Sequence, residues 1–266
     1  MPTALSAPLI KTLLADPDCE IFVYPALGST MDEAKQRLAA GAPSKTVILA
    51  ETQTAGRGRR EKSFFSPPQT GIYLSVIWRP PASEKPTPEK TTTITALAAV
   101  AVCRAIEKHC PVAPQIKWVN DVLVGGKKVC GILTEAEIRR GAISGLIVGI
   151  GLNVATADFP PELRDRAGSL TVSAEARIAE TRNQLTADLL RHFFALAADR
   201  DATLDEYRAR SAVLGKEITY VQNGATVAAV AVGINDDGNL LVRRRDGKSV
   251  ALNSGEISLT GYDFGL

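Results

Sequence analysis

The sequence is poor in residues that build metal and redox centres. Its four cysteines, Cys19, Cys103, Cys110 and Cys130, form no CxxC pair, and its only histidines are His109 and His192. A zinc site needs about four such ligands gathered together, so ligand count argues against one. Cys103 and Cys130 lie in apolar runs and read as small buried hydrophobes. An excess of one charge is also missing: 31 Lys and Arg oppose 29 Asp and Glu, a net +2. No global field selects nucleic acid or a membrane surface, so any basic site is local. There is no apolar run of about 18 residues, and no membrane-spanning helix is expected. Met1 to Ala7 lacks a basic segment followed by an apolar one, so no signal peptide is expected either. The thiols are then expected to stay reduced, in the cytoplasm.

What is present is an ordinary globular composition: 266 residues, 45% hydrophobic and 23% charged. That length suits a large domain and a small one. Residues 1–19 read as a short extension with a helical turn or two around Leu9 to Leu14. Glu20 to Tyr24 and Thr46 to Glu51 read as strands. Between them, Ser29 or Thr30 can cap a helix from about Met31 to Ala40. Gly71 to Arg79 alternates as a strand, and Pro80 to Pro88 reads as a loop. Thr91 to His109 is the clearest helix, apolar around much of its surface and so packed on more than one side. Gln115 to Trp118 and Asp121 to Val124 read as strands. Gly125-Gly126 then turns the chain into a strand over Lys128 to Glu137. Ala142 to Val154 is another apolar strand, Ala155 to Ala174 a loop, and Thr181 to Tyr207 reads as helical. After about Arg210 come five short strands: Glu217 to Gln222, Thr226 to Ile234, Leu240 to Arg244, Ser249 to Leu252 and Glu256 to Leu259. Asn223-Gly224, Asp237-Gly238 and Asp246-Gly247 separate them, and both positions of each pair tolerate positive φ. The fold class is therefore α+β, with a domain over 20–210 followed by a small all-β barrel over 211–266.

Three segments carry chemistry. Glu51-Thr52-Gln53-Thr54-Ala55-Gly56-Arg57-Gly58-Arg59-Arg60 interleaves arginines with glycines, which suits an anionic ligand: arginine offers a planar fork and glycine a close backbone approach. A basic loop kept for solubility would look the same. No helix opens after it and GxxxxGK[ST] is absent, so it is neither a dinucleotide fingerprint nor a P-loop. Lys117-Trp118-Val119-Asn120-Asp121, with Lys127-Lys128 behind it, can hold a divalent cation beside a phosphate chain, or can be a surface turn. Gly149-Ile150-Gly151-Leu152-Asn153 places glycines in an apolar strand, which marks close approach by a ligand or by a packed helix.

In order and spacing these segments resemble the biotin–protein ligases. The resemblance also rests on Gly28-Ser29-Thr30, Phe64-Phe65-Ser66-Pro67, Gly71-Ile72-Tyr73-Leu74-Ser75, Gly131-Ile132-Leu133-Thr134-Glu135 and Ser254-Gly255-Glu256, and covers about residue 20 to the end. It implies a catalytic domain related to class II aminoacyl-tRNA synthetases, followed by an SH3-like barrel. The implied reaction joins biotin to ATP as biotinyl-5'-AMP, then transfers biotin to a lysine of a biotin carboxyl carrier protein, with Mg²⁺ required. Ser29, Thr30, Met31 and Gln53 match the ureido-ring end, and Gly58 lies beside it. Tyr73, Gly131, Leu133 and Gly149 are candidates to line the tunnel for the valeryl chain. Arg57, Arg59 and Lys128 match residues that hold biotin's carboxylate and the phosphate. Arg60, Phe64, Lys117, Asn120 and Asn153 match the nucleotide side, with Phe64 stacking on adenine. Asn120 and Asp121 would hold Mg²⁺, and Asp121 could serve as a base. Several positions depart from the common pattern. Val119 stands where many members have proline, Met31 where many have asparagine, Glu61-Lys62 where Gly-Arg is frequent, and Phe64 where tryptophan is frequent.

The rival readings are a lipoate–protein ligase, which shares fold and adenylate chemistry, and a biotin-binding protein without catalysis. The three cations argue against the latter. With about twenty residues ahead of the catalytic domain, DNA binding through an N-terminal helix-turn-helix is not expected. Family members are monomers or homodimers.

Overall fold

The computed structural model describes residues 4–79, 90–139, 142–170, 175–198, 201–253 and 255–259. The expected loop over Pro80 to Pro88 and the motif residue Ser254 lie outside them.

Alternation of apolar residues on both faces builds a seven-stranded sheet. Its strands are β1 (Glu20–Tyr24), β2 (Thr46–Ala50), β3 (Gly71–Trp78), β4 (Gln115–Lys117), β5 (Asp121–Val124), β6 (Lys127–Arg139) and β7 (Ala142–Asn153). They lie in the order β1-β2-β3-β7-β6-β5-β4. The β1–β2 pair is parallel and the other pairs are antiparallel. Helix α1 spans Ala7–Leu14, α2 Thr30–Ala39, α3 Lys90–His109, α4 Glu175–Ala198 and α5 Asp201–Ala209.

The pleat decides which face each strand residue joins. Ile48, Ile77 and Ile147 pack with Met31, Ala34 and Leu38 of α2. Their neighbours Val47, Leu49, Val76, Leu146 and Val148 join the larger core with α3 and α4. Helix α3 contacts β5, β6 and β7 as well as α4 and α5, which is why its residues Ala96 to Cys103 are all buried. Its all-round apolar surface thus reflects packing on several sides, as the composition implies.

The helical stretch expected over Thr181 to Tyr207 falls on α4, which begins earlier at Glu175, and on α5, which carries Tyr207. Leu185, Leu189 and Phe193 of α4 and Leu204 and Tyr207 of α5 are all buried, so both halves show the same apolar period. Helix α1, within the expected extension, packs on α4 and β1 and buries Ile10 and Leu14.

The C-terminal strands β8 (Glu217–Gln222), β9 (Ala225–Ile234), β10 (Leu240–Arg244), β11 (Ser249–Leu252) and β12 (Ile257–Leu259) form one antiparallel sheet in the order β11-β10-β9-β8-β12. Only the Asn223-Gly224 turn uses positive φ at both positions, 52° and 78°. At the other two Asx-Gly pairs only Gly238 and Gly247 do so. There the carboxamide or carboxylate of the loop takes over: Asn235 Oδ1 accepts from the amides of Asp237 and Asn239, and Asp246 Oδ1 from that of Lys248. The two sheets are tied by Trp118 Nε1 donating to Gly238 O at 2.9 Å, and by Ile116 amide donating to Arg210 O at 2.8 Å. Among the described residues no helix is long and apolar enough to cross a membrane.

Candidate active site

A cavity of about 520 Å³ opens on the α2 side of the large sheet, a size that suits a small-molecule ligand. Its floor follows from strand register. Lys117 pairs with Asp121, Asp121 with Gly131, Gly131 with Gly151 and Gly151 with Tyr73, so these five lie in one row across β4, β5, β6, β7 and β3. The next row runs Leu133, Gly149, Ser75. Side chains of one row share a face. Charge therefore sits at the β4–β5 end of the floor and bare backbone in the middle. The glycine spaces are filled from above. A Cβ built at Gly151 would stand 2.5 Å from the Phe64 ring, and one at Gly149 2.5 Å from Met31 Sδ.

At one end of the cavity the polar groups converge. Ser29 caps α2, its Oγ accepting from the Met31 amide at 3.2 Å. The Thr30 amide and Oγ1 both donate to Gln53 Oε1, at 2.9 and 3.1 Å. Ser75 Oγ donates to Thr30 Oγ1 at 2.9 Å. Because a backbone N–H can only donate, Gln53 Oε1 must face Thr30, and its Nε2 then faces Ser66 Oγ at 2.9 Å.

The arginine-rich segment folds into a hairpin over the cavity. Phe64 amide donates to Gly56 O at 2.8 Å and Gly58 amide to Lys62 O at 2.6 Å. The turn puts Arg60 and Glu61 at φ 53° and 60°. These left-handed values would suit a glycine at the second position better than the glutamate found here.

The cations are distributed with purpose. Arg57 pairs with Asp32 at 3.1 Å and Glu135 at 2.6 Å, fastening the hairpin to α2 and β6. Arg59 Nη1 donates to Asn120 Oδ1 and to Gly255 O, both at 3.2 Å. Lys62 grips both oxygens of Glu256 at 2.6 and 2.9 Å. Lys128 Nζ lies 2.7 Å from Asp121 Oδ1. Its backbone is clamped by the loop after β7: its amide donates to Arg166 O, and the Gly168 amide donates to Lys128 O. Burial lowers the pKa of Arg59, as does neighbouring Arg60. Burial likewise lowers that of Lys117, with Lys128 and Lys62 adding to it against Asp121 and Glu256. The hydrogen bond from Lys62 holds the Glu256 carboxyl below its ordinary value. Seven cationic side chains line the cavity against the three carboxylates Asp121, Glu162 and Glu256. That excess is what an anionic ligand requires.

The structure gathers on this cavity Ser29, Thr30, Met31, Gln53, Arg57, Gly58, Arg59, Arg60, Phe64, Lys117, Asn120, Asp121, Lys128, Gly131, Leu133 and Gly149. Two expected residues stand back from its wall. Tyr73 is fully buried with its hydroxyl donating to Pro67 O at 2.9 Å, and the Phe64 ring lies edge-on to it. It supports the cover rather than lining a tunnel. Asn153 is buried, with Nδ2 donating to Gly168 O at 3.1 Å and Oδ1 without a partner. Asn120 has both ends of its amide engaged, by Arg59 and by Ile132 O. Among the described residues no group of three or more His, Cys, Asp or Glu could hold a metal. Asn120 and Asp121 are engaged here by Arg59 and Lys128. The motifs did not single out Asp32, Ser66 or Glu256 for these contacts.

A sequence profile of the biotin/lipoate A/B protein ligase family matches residues 23–153, and one of the biotin protein ligase C-terminal domain matches residues 213–260. A biotin–[acetyl-CoA-carboxylase] ligase of Mycobacterium tuberculosis is 32% identical over 247 residues, 90% of this chain and 88% of that protein. The chain belongs to the biotin protein ligase family. Within the family, the Bacillus subtilis bifunctional ligase/repressor BirA is 39% identical over 160 residues, 59% of this chain and 48% of that protein. The chain spans about half the length of this relative and of its Bacillus spizizenii counterpart. The same ligase fold appears in the Aquifex aeolicus biotin protein ligase in complex with biotin and ATP. Its TM-score is 0.70 at 22% identity, covering 90% of this chain and 98% of that one.

Proposed function

We propose that the chain is an ATP-dependent biotin–protein ligase. It would convert biotin to biotinyl-5'-AMP with release of pyrophosphate, then pass biotin to a lysine of a biotin carboxyl carrier protein. One observation carries the reading: a single cavity joins a hydrogen-bonding end to a cation cluster across a glycine floor. The relatives named above support it, being called biotin–[acetyl-CoA-carboxylase] ligase and ligase/repressor, as does the Aquifex protein, whose structure contains biotin and ATP.

The ring end has the right inventory. A ureido group brings two N–H donors and one carbonyl acceptor, all of which need partners once buried. Thr30 Oγ1 and Ser75 Oγ each keep lone-pair capacity to accept. The Ser29 hydroxyl proton and the second Gln53 Nε2 proton remain to donate. Leu133 and the glycines Gly131 and Gly149 would line the valeryl chain once the Met31 side chain over Gly149 moves aside.

The carboxylate would then point toward Lys128 and the arginines. In the first step a carboxylate oxygen attacks the α-phosphorus of ATP and the bond to the bridging oxygen breaks, releasing pyrophosphate. Two anions have to meet, so Lys128, Arg59, Arg57 and Lys117 act by electrostatic stabilisation. Phe64 and Arg60 would flank the nucleotide over the Gly131–Gly151 floor. In the second step the carrier lysine amine attacks the biotinyl carbonyl and AMP leaves. Asp121, paired with Lys128, would take the amine's proton and orient that lysine. Magnesium belongs to this reading as the counter-ion of ATP, held chiefly by the phosphates. The same reading gives the large sheet a kinship with class II aminoacyl-tRNA synthetases and makes the C-terminal sheet an SH3-like barrel.

Pyrophosphate exchange into ATP tests the first step without any carrier. The expected result is exchange that depends on biotin and not on lipoate. Exchange with lipoate alone, or none with either, overturns the reading.

A further inference from the structure

The hydrogen bonds at the ring end continue past it, all in one direction. Ser75 Oγ donates to Thr30 Oγ1, Thr30 Oγ1 to Gln53 Oε1, Gln53 Nε2 to Ser66 Oγ at 2.9 Å, and Ser66 Oγ to Phe64 O at 3.0 Å. Ser75, Thr30 and Ser66 are buried at 0%, 3% and 4% exposure. The chain thus runs from the floor of the ring end to the backbone of Phe64, whose ring covers Gly151 and Gly131.

The space around this path is closed. A Cβ at Gly56 would stand 2.4 Å from Phe64 O, 2.9 Å from Ser66 Oγ and 3.1 Å from Gln53 Nε2. The glycine lets the two limbs of the hairpin touch. Among the described residues, Ser66 is the side chain of the path that joins the ring end to the aromatic cover. Its lone pair fixes the Gln53 amino group, and its proton fixes the Phe64 carbonyl.

We infer that Ser66 is a positioning residue that couples occupation of the ring end to the placement of Phe64 over the nucleotide floor. The inference rests on the proposed ligase reading. A ureido carbonyl accepting from Gln53 Nε2 polarises and stiffens that amide. Ser66 hands the constraint to the Phe64 backbone, and the ring settles where an adenine would stack. Biotin and ATP then each bind tighter when the other is present, by reciprocity of the coupling. Ser66 itself touches neither ligand.

The test is calorimetric binding of biotin and of α,β-methylene ATP, each alone and in the presence of the other. It uses the intact chain, Ser66→Ala, Ser66→Thr, Phe64→Leu and the double variant Ser66→Ala/Phe64→Leu. In Ser66→Ala the mutual tightening is expected to fall by about fivefold, the worth of roughly one buried hydrogen bond. Affinity for biotin alone is expected to change by less than about threefold. Ser66→Thr keeps the hydroxyl and restores the coupling. On the Phe64→Leu background, Ser66→Ala has little further effect on coupling. Equal coupling in Ser66→Ala and the parent overturns the inference. So does a parallel loss of both affinities that Ser66→Thr does not rescue, together with a lowered melting temperature, because that marks a purely structural serine. A parent that binds no biotin at all overturns the ligase reading and this inference together, and the biotin-alone titration separates that case.

Discussion

Lys128 shows how a single residue is made ready. Its side chain faces Asp121 at 2.7 Å while the loop after β7 holds its backbone on both sides. Lys128→Ala is expected to leave the fold intact and slow single-turnover adenylate formation by at least about tenfold, the loss of one charge-assisted contact. Unchanged formation would remove Lys128 from the chemistry. Gly151 makes the complementary case, since its value lies in having no side chain. A Gly151→Val variant would drive two methyls into the Phe64 ring and the floor beneath it. Nucleotide affinity is expected to drop by about tenfold or more while biotin affinity, set at the ring end, falls far less. Titration of each ligand checks it, and equal losses would contradict it. Lys128 was legible because its spacing from Lys117 belongs to a motif. Ser66 also lies in a motif, Phe64-Phe65-Ser66-Pro67, but its contacts were not legible, because they exist only once Thr30 has fixed which way Gln53 points.

Between elements the most consequential contact is a buried arginine. Arg182 of α4 has no exposed side-chain surface; its Nη2 meets Glu51 Oε2 at 2.6 Å and its Nε donates to Gly71 O at 2.8 Å. Glu51 Oε1 in turn accepts from the Leu5 amide at 2.5 Å. One ion pair thereby ties α4, the end of β2, the start of β3 and the segment before α1. Arg182→Ala strands a buried carboxylate and is expected to cost about 3 kcal/mol. Urea denaturation checks it; a loss under about 1 kcal/mol would mean that the site relaxes or fills with water. The sequence hides this contact because an arginine within a helical pattern reads as surface. Strands, in contrast, were legible nearly to the residue. Gly71–Trp78 has continuous burial and Leu240–Arg244 alternation, each bounded by turn residues.

Across the whole molecule, charge networks pin the helical layer. Burial works to raise the Asp188 carboxyl, but hydrogen bonds from Lys108 and His109 outweigh it and hold its pKa below the ordinary 3.8. Glu206 is held below 4.5 in the same way: burial opposes, and Arg104 and Arg210 prevail. Folded-state values below the unfolded ones mean that the unfolded chain takes up protons first as pH falls. The contribution to stability is full above about pH 5 and drains away as pH drops through these carboxyls. Denaturation midpoints at pH 7, 4 and 3 should therefore fall more steeply in the parent than in an Asp188→Asn variant, and identical slopes would contradict this. At the same scale the C-terminal sheet completes the site, because Gly255 and Glu256 take Arg59 and Lys62. The sequence announced the second unit through its Asx-Gly turns but not the contact, which pairs residues nearly two hundred positions apart. The central claim is that one cavity activates biotin for transfer to protein. The most direct measurement is the mass of a purified biotin carrier domain after incubation with this protein, biotin, ATP and Mg²⁺, with lipoate and no-ATP reactions alongside. The account predicts an ATP-dependent gain of one biotinyl group on the carrier lysine and none from lipoate. A gain from lipoate alone, or tight biotin binding with no gain on any carrier offered, would contradict it.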